Sequence, residues 1–375
     1  MISKDLLLIP VFLLACLIAM LMSPAIFAVE GEKFMSYQLN DSQLKSLIKL
    51  VKTDPDAGAV YRTMLGIADD ALLEQPDPVE KIQTEGKLDR DPAKLETEKS
   101  LHDMKKIYAL GVAWITTGDT RYAVKAKEFI LAWAGINKSA GDPIDDTNLE
   151  QLIKAYDFLK TGFSGGEIEI VNRWLTDVAN AEISTKTPGK STSMNNWNSH
   201  RIKIVGLIGF AIGKKPFVDF ADLEYRLQVQ NDLNPDGGSY DFTERDALHY
   251  HCYTLEPLLS IAAAGSLNGY GWFGYKAGNG SSLKKSVEFL LPYARGEQTH
   301  NEYVNSRVKF DFTRAAAGQK KFQIGRVFEP KEALPTLEEY YFFDRSILPL
   351  IQKILNTTSK YPSWEILLES AQSPS

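Results

Sequence analysis

Apolar residues recur at three- and four-residue spacing along most of this chain, and the strict alternation expected of a half-buried strand is scarce. That period limits the fold to packed helices. The clearest stretch is "LHDMKKIYALGVAWITTGDTRYAVKAKEFILAWAGI", in which Leu101, Met104, Ile107, Tyr108, Leu110 and Trp114 form one helical stripe. "TTGDT" interrupts it at Gly118, and Tyr122, Ala126, Phe129, Ile130 and Trp133 form the next. This is a helical hairpin. Further pairs follow at Leu149 to Leu159 with Glu167 to Ile183, and at Asn195 to Ile212 with Pro216 to Gln230. A long helix is then expected from about Phe242 to Leu267. Successive hairpins in a chain of this length predict an all-α fold, an α/α toroid or incomplete barrel whose inner helices line a cleft, with a helical solenoid as the rival.

The N-terminal stretch "MISKDLLLIPVFLLACLIAMLMSPAIFAVEGE" has a short polar start, an apolar run from Leu6 and small residues before an acidic continuation. It reads as a signal peptide over residues 1–28, cleaved after Ala28, leaving residues 29–375 as a single domain in the periplasm or outside the cell. The rival readings are a lipid anchor on Cys16, from the lipobox-like "LLAC", and an uncleaved membrane span. Once that segment is removed Cys252 is the only cysteine, so no intramolecular disulfide supports the fold, and Cys252 reads as a small core residue.

A formal charge of −6 and the lack of any lysine- or arginine-rich run exclude a general nucleic-acid binder. No P-loop, dinucleotide fingerprint, H-E-x-x-H or G-x-S-x-G motif is present. The tract "ERDALHYHCY" is the densest collection of proton-handling groups. On one continuous helix Arg245, His249 and Tyr253 fall four apart on a shared face, with Tyr250 beside them and His251 roughly opposite. The two imidazoles of "HYH" diverge on a helix, so no metal site is expected. Asn196 and His200 share a face at the start of a second helix, although paired asparagines such as Asn195 and Asn196 are also common helix caps. The loop "GYGWFGYKAGNGSS" carries Trp272 among other aromatic residues, suited either to stacking on a sugar or to pinning the loop. Asp236, Asp241, Glu244 and Asp246 would be the carboxylates of a glycoside hydrolase, or simply solvated acids near turns.

The chain resembles the alginate lyase-like family of polysaccharide lyases. The resemblance runs in order through "TEGKL", "KSLHDMKKIYALGVAWITTGDTRYAVKAKEFILAWA", "GDPIDDTNLEQLIKAYDFL", "NNWNSHRIKIVGLIGFAIG", "DGGSYDFTERDALHYHCYTLEPLL" and "PYARGEQTHNEYVNSRVKFD", spanning roughly residues 80 to 311. It implies an α/α toroid, export, and β-elimination on a uronate-containing polysaccharide without a redox cofactor. In the best-known members an Asn-Asn-His motif and a helix ending Tyr-His-x-Tyr supply the reacting groups. Asn195 and Asn196 match the asparagines, and Tyr253 matches the last tyrosine.

Two positions depart from that pattern. Trp197 stands where the motif has histidine, with His200 one turn beyond Asn196. Arg245 lies eight residues before Tyr253 and not seven, with Asp246 in the expected place. The departures suit a branch acting on another uronate polymer, or on alginate with a rearranged site. The catalytic candidates are therefore Asn196, His200, Arg245, His249 and Tyr253. Candidate substrate contacts are Lys87, Asn195, Trp197, Tyr250, His251, Trp272, His300 and Arg314. A noncatalytic carbohydrate-binding protein and an inverting glycoside hydrolase are the alternatives from other classes. Oligomeric state is left open.

Overall fold

A computed structural model describes residue 34 and residues 36–372. The expected signal segment and Cys16 lie outside the described residues. Phe34–Ser375 form one compact unit, and among the described residues no helix is long and apolar enough to cross a membrane.

The helices follow in order as α1 (Asp41–Thr53), α2 (Pro55–Ala71), α3 (Pro92–Ser100), α4 (His102–Thr117), α5 (Thr120–Ile136), α6 (Pro143–Asp146), α7 (Glu150–Leu159), α8 (Gly165–Thr185) and α9 (Asn196–Ala211). They continue as α10 (Lys215–Asn231), α11 (Tyr240–Arg245), α12 (Leu248–Leu267), α13 (Leu283–Ala294), α14 (Lys309–Ala316), α15 (Leu334–Tyr341), α16 (Leu348–Leu355) and α17 (Trp364–Gln372). Helices α4, α7, α9, α12 and α15 pack in succession as an inner layer. Outside them α5 packs on α4, α8 on α5 and α9, α10 on α9, and α13 on α12. This is the expected α/α toroid, and the hairpins fall where the helical period placed them.

Local chemistry accounts for the helix ends. Ser164 and Glu167 form a reciprocal capping box at the start of α8, and Gly118 in the left-handed region ends α4 before Asp119 caps α5. Inner α9 is buried on nearly every side, including Arg201 and Lys203, which are 2% and 3% exposed. Charges so placed need partners. Arg201 meets Glu182, while Lys203 and Lys154 converge on Glu150, which also accepts from the Ser260 hydroxyl.

Two expectations fail. The helix expected from Phe242 to Leu267 is broken: Asp246 takes a left-handed φ of 50° between α11 and α12. Arg245 therefore does not share a helical stripe with His249 and Tyr253. Trp272 is also not a sugar platform on a mobile loop, because it is fully buried, stacked on Tyr225 at 5.7 Å between ring centres, with its indole N–H donating to Asp222. Gly265 of α12 permits that seat, since a Cβ there would strike the Trp272 ring. Gly265→Ala is thus expected to force the indole outward and lower stability by about 1–3 kcal/mol. Urea unfolding measures this, and an unchanged midpoint would contradict the packing.

Candidate active site

At the break between α11 and α12 three segments meet. The Asp246 carbonyl accepts the Tyr303 N–H at 2.7 Å and a hydrogen bond from His300 Nε2 at 3.0 Å. Its carboxylate accepts from both the backbone and side chain of Asn305, at 2.8 and 2.9 Å. Helix α12 begins at an alanine cap with no side-chain acceptor of its own. Buried Glu302 replaces it, each carboxylate oxygen taking one of the first N–H groups: Leu248 at 2.8 Å and His249 at 3.1 Å. A carboxylate at the positive end of a helix is favourable on charge as well as hydrogen bonding.

This arrangement turns His249, Tyr250 and Tyr253 of α12 toward a cleft of about 320 Å³. Asn196 and Trp197 of α9, Arg245 of α11 and Arg314 of α14 also line it, and Thr147, Glu85, Lys94, Lys321 and Phe322 complete the walls. Arg245 reaches this cleft even though the helix is broken. Its guanidinium lies 3.8 Å from the centre of the Tyr250 ring and pairs with buried Asp311 at 2.6 Å. Arg314 donates to the Tyr250 hydroxyl at 2.8 Å while seated against Phe310 and Phe322, at 4.3 and 4.5 Å from their ring centres.

Asn196 is held by Asp241. The Asn196 backbone N–H donates to one carboxylate oxygen of Asp241 at 2.6 Å and its side-chain amide donates to the other. Thr254, the residue after Tyr253, donates to the same carboxylate at 2.8 Å. Burial raises the Asp241 carboxyl, while Thr254, Asn196 and the Arg245 charge oppose that rise. One buried acid thus fixes α9, α11 and α12 at the cleft. The amide keeps a second N–H that Asp241 does not need, because –NH₂ carries two.

His200 stands one turn deeper than Asn196. It is 1% exposed, its Nδ1 is 2.9 Å from the Thr147 hydroxyl, and its ring centre is 4.3 Å from that of Tyr253. It lines an adjoining recess with Lys203, Glu150 and Glu256, and Tyr253 belongs to both spaces. Burial, followed by Lys203, drives the imidazole well below its ordinary value. His249 is likewise driven down by burial and then by Lys321, Arg326, Arg245 and Arg314. Both imidazoles are neutral near pH 7. For Tyr253 burial raises the phenol, and Glu256, Glu85, Tyr250 and Asp142 raise it further.

Several expected contacts lie elsewhere. His251 is fully buried between the Ser239 hydroxyl and the Ser286 carbonyl, 3.0 Å from each, because the opposite face of α12 is core. His300 buttresses the Asp246 break, and Asn195 caps α9 by accepting from the Trp197 N–H at 3.1 Å. Lys87 pairs with Asp91 at 3.6 Å outside the cleft, while Lys94 lines it. Asp236, Asp241, Glu244 and Asp246, the hydrolase candidates, do not line the cleft. Among the described residues no cluster suited to a metal ion occurs. Cys252 is buried, and burial raises its thiol.

Lys321 and Phe322 escaped the sequence reading, although the basic-aromatic run "KKF" between two glycines marked a candidate contact loop. Asp241 and Glu302 had no comparable signal, since acids near turns are ordinarily solvated.

The fold agrees with the comparison to known families. The alginate lyase family profile matches residues 19–300, more than half the sequence, so the chain belongs to the alginate lyase family and is a polysaccharide lyase. Among solved structures it is similar to an alginate lyase from Bacteroides ovatus, with 16% identity, a TM-score of 0.63, and coverage of 88% of this chain and 99% of that one. It is also similar to alginate lyase A1-III from Sphingomonas species A1, with 20% identity, a TM-score of 0.54, and coverage of 83% and 97%. A tyrosine-to-phenylalanine variant of A1-III complexed with tetrasaccharide matches at 20% identity and a TM-score of 0.53, covering 73% and 82%. No curated protein matches the sequence significantly.

Glu302→Gln tests the support beneath the site. Glutamine resembles the protonated acid, with one strong acceptor oxygen for the two N–H groups, so near pH 5 the variant should lie within about 1 kcal/mol of wild type. Burial raises the Glu302 carboxyl from 4.5 to about 7. A carboxyl raised on folding contributes its stability fully below the unfolded value and loses it as pH climbs through the folded one. Glutamine does not titrate, so wild type should lose stability relative to the variant between about pH 5 and pH 8. Urea unfolding at the two pH values measures it, and a wild type that gained on the variant with rising pH would contradict the assignment.

Proposed function

We propose that the protein is an exported lyase that cleaves alginate or a related uronate polysaccharide by β-elimination. The observation that carries this reading is the convergence of an amide, two guanidiniums and two phenols on one cleft: Asn196, Arg245, Arg314, Tyr250 and Tyr253. The A1-III lyase that shares the fold has been seen with a tetrasaccharide, which supports an oligosaccharide occupant here.

The C5 proton of a uronate is weakly acidic while its carboxylate is charged, because its loss would put a second negative charge on the same conjugated system. Donors at the carboxylate must spread that charge. The free N–H of Asn196 and the guanidinium of Arg245 supply them, fixed beforehand by Asp241 and Asp311. Neutral His249 can add a hydrogen bond and no charge.

Elimination also needs a proton delivered to the departing O4. The surroundings of Tyr253 raise its phenol, so it meets the substrate protonated and serves as that donor. A Tyr253 phenolate would need a nearby cation such as Arg245 or a protonated His249. Arg245 instead lies on Tyr250, and His249 is neutral. Lys94 and Lys321 at the rim suit neighbouring carboxylates of a polyanionic chain.

Purified protein mixed with a panel of uronate polymers should generate ultraviolet absorbance from the unsaturated end that only elimination creates. Tyr253→Phe should lower kcat by about 10²- to 10⁴-fold. Depolymerisation without absorbance, or full activity in that variant, would overturn the reading.

A further inference from the structure

The two phenols at the cleft have unlike surroundings. Tyr253 touches the neutral rings of His200 and His249, with ring centres 4.3 and 6.2 Å away, and the carboxyls Glu256, Glu85 and Asp142 weigh on its phenol. Tyr250, three residues earlier on α12, stands edge-on to Tyr253 with ring centres 6.4 Å apart and is clasped by two cations. Arg245 covers its face and Arg314 donates to its oxygen at 2.8 Å. A phenol oxygen that accepts from a guanidinium is arranged for the charge of a phenolate.

We infer that Tyr250 is a second proton-transfer residue of this site: its phenolate removes the C5 proton, and Tyr253 delivers a proton to O4. The inference rests on the lyase reading above and divides between two side chains the task that a single tyrosine would otherwise perform. The Tyr250 oxygen takes the proton as the C5–H bond breaks, and that electron pair moves onto the neutralised carboxylate as an enolate. The pair then forms the C4–C5 double bond as the C4–O4 bond breaks, and O4 takes the Tyr253 proton. After product leaves, Tyr250 is a phenol and Tyr253 a phenolate. Exchange of one proton each with the water refilling the cleft restores both.

Charged and titratable groups surround Tyr250. Arg245 and Arg314 favour its ionised form, Asp311 and Glu85 oppose it, and Tyr253, Tyr303 and His249 are the neutral groups in contact. Burial is the largest influence and raises the phenol, with the two arginines as the leading counterweights. The leading influences on Tyr253 all raise it. Environments that separate two neighbouring acids are what an acid and base pair requires.

In proton transfer Arg314 acts through Tyr250, and for that step it is a positioning residue. Its seat between Phe310 and Phe322 fixes the donor before any substrate arrives.

The test follows kcat and KM by ultraviolet absorbance between about pH 5 and pH 10, on a polymer that wild type cleaves. Tyr250→Phe keeps the ring and its packing, and should lower kcat by about 10²-fold or more with KM changed less than about threefold. Arg314→Gln should move the acid-side limb of the kcat profile to higher pH, and the double variant should show no such movement. Tyr250→Phe with wild-type kcat and profile overturns the division of roles. So does an acid-side limb that disappears in His249→Gln and persists in Tyr250→Phe. Should Tyr250→Phe fail to fold, Arg314→Gln decides alone: an unmoved limb overturns the inference. A wild-type protein that yields no unsaturated product overturns the lyase reading as well, whereas wild-type absorbance with an unaltered Tyr250→Phe overturns this inference alone.

Discussion

The site depends on a helix that starts one turn too late for its own sequence to explain. Helix α12 carries His249, Tyr250 and Tyr253, and its direction is set at Asp246, where the backbone turns left-handed and Glu302 supplies the acceptors that Ala247 lacks. Without that distant carboxylate, two N–H groups would be buried without partners. The segment from His300 to Arg307 does little chemistry of its own in this picture. It clasps the break through Asp246 and Glu244, and in doing so aims the three rings that follow.

The same principle governs Asn196. A cap residue would ordinarily turn with its loop, but Asp241 holds both its backbone and its amide. Because Thr254 shares that carboxylate, the amide and the phenol of Tyr253 are referenced to one fixed point. Pro257 adds to this locally, since it offers no N–H to the Tyr253 carbonyl one turn earlier. The two inner helices are therefore joined by buried polar contacts where they face the cleft and by apolar packing elsewhere.

The helical period made the toroid legible, because apolar spacing records which face of each helix is buried. Asn196, Arg245, His249 and Tyr253 were legible as catalytic candidates and Tyr250 and Arg314 as substrate contacts, and these six line one cleft, while His200 lines the adjoining recess. What remained hidden was non-local. A period cannot show that Glu302 would end one helix and begin another from 54 residues away, nor that the acid Asp241, in a turn-like tract, would be fully buried. Trp272 misled for the reciprocal reason: a glycine-rich setting suggested exposure, while the decisive neighbour, Gly265, lies on a different element. His251 was adjacent to the right residues and on the wrong side of the helix.

The seat of Arg314 has a consequence for how a ligand is met. Held between phenyl faces, the guanidinium is not neutralised by a carboxylate in contact, yet it has already surrendered most of its rotamers. A free arginine on a loop would have to be ordered by each incoming sugar chain. Here that ordering belongs to folding, so the entropy of capture falls on the polymer alone, and a stiff chain should lose less on docking than a supple one.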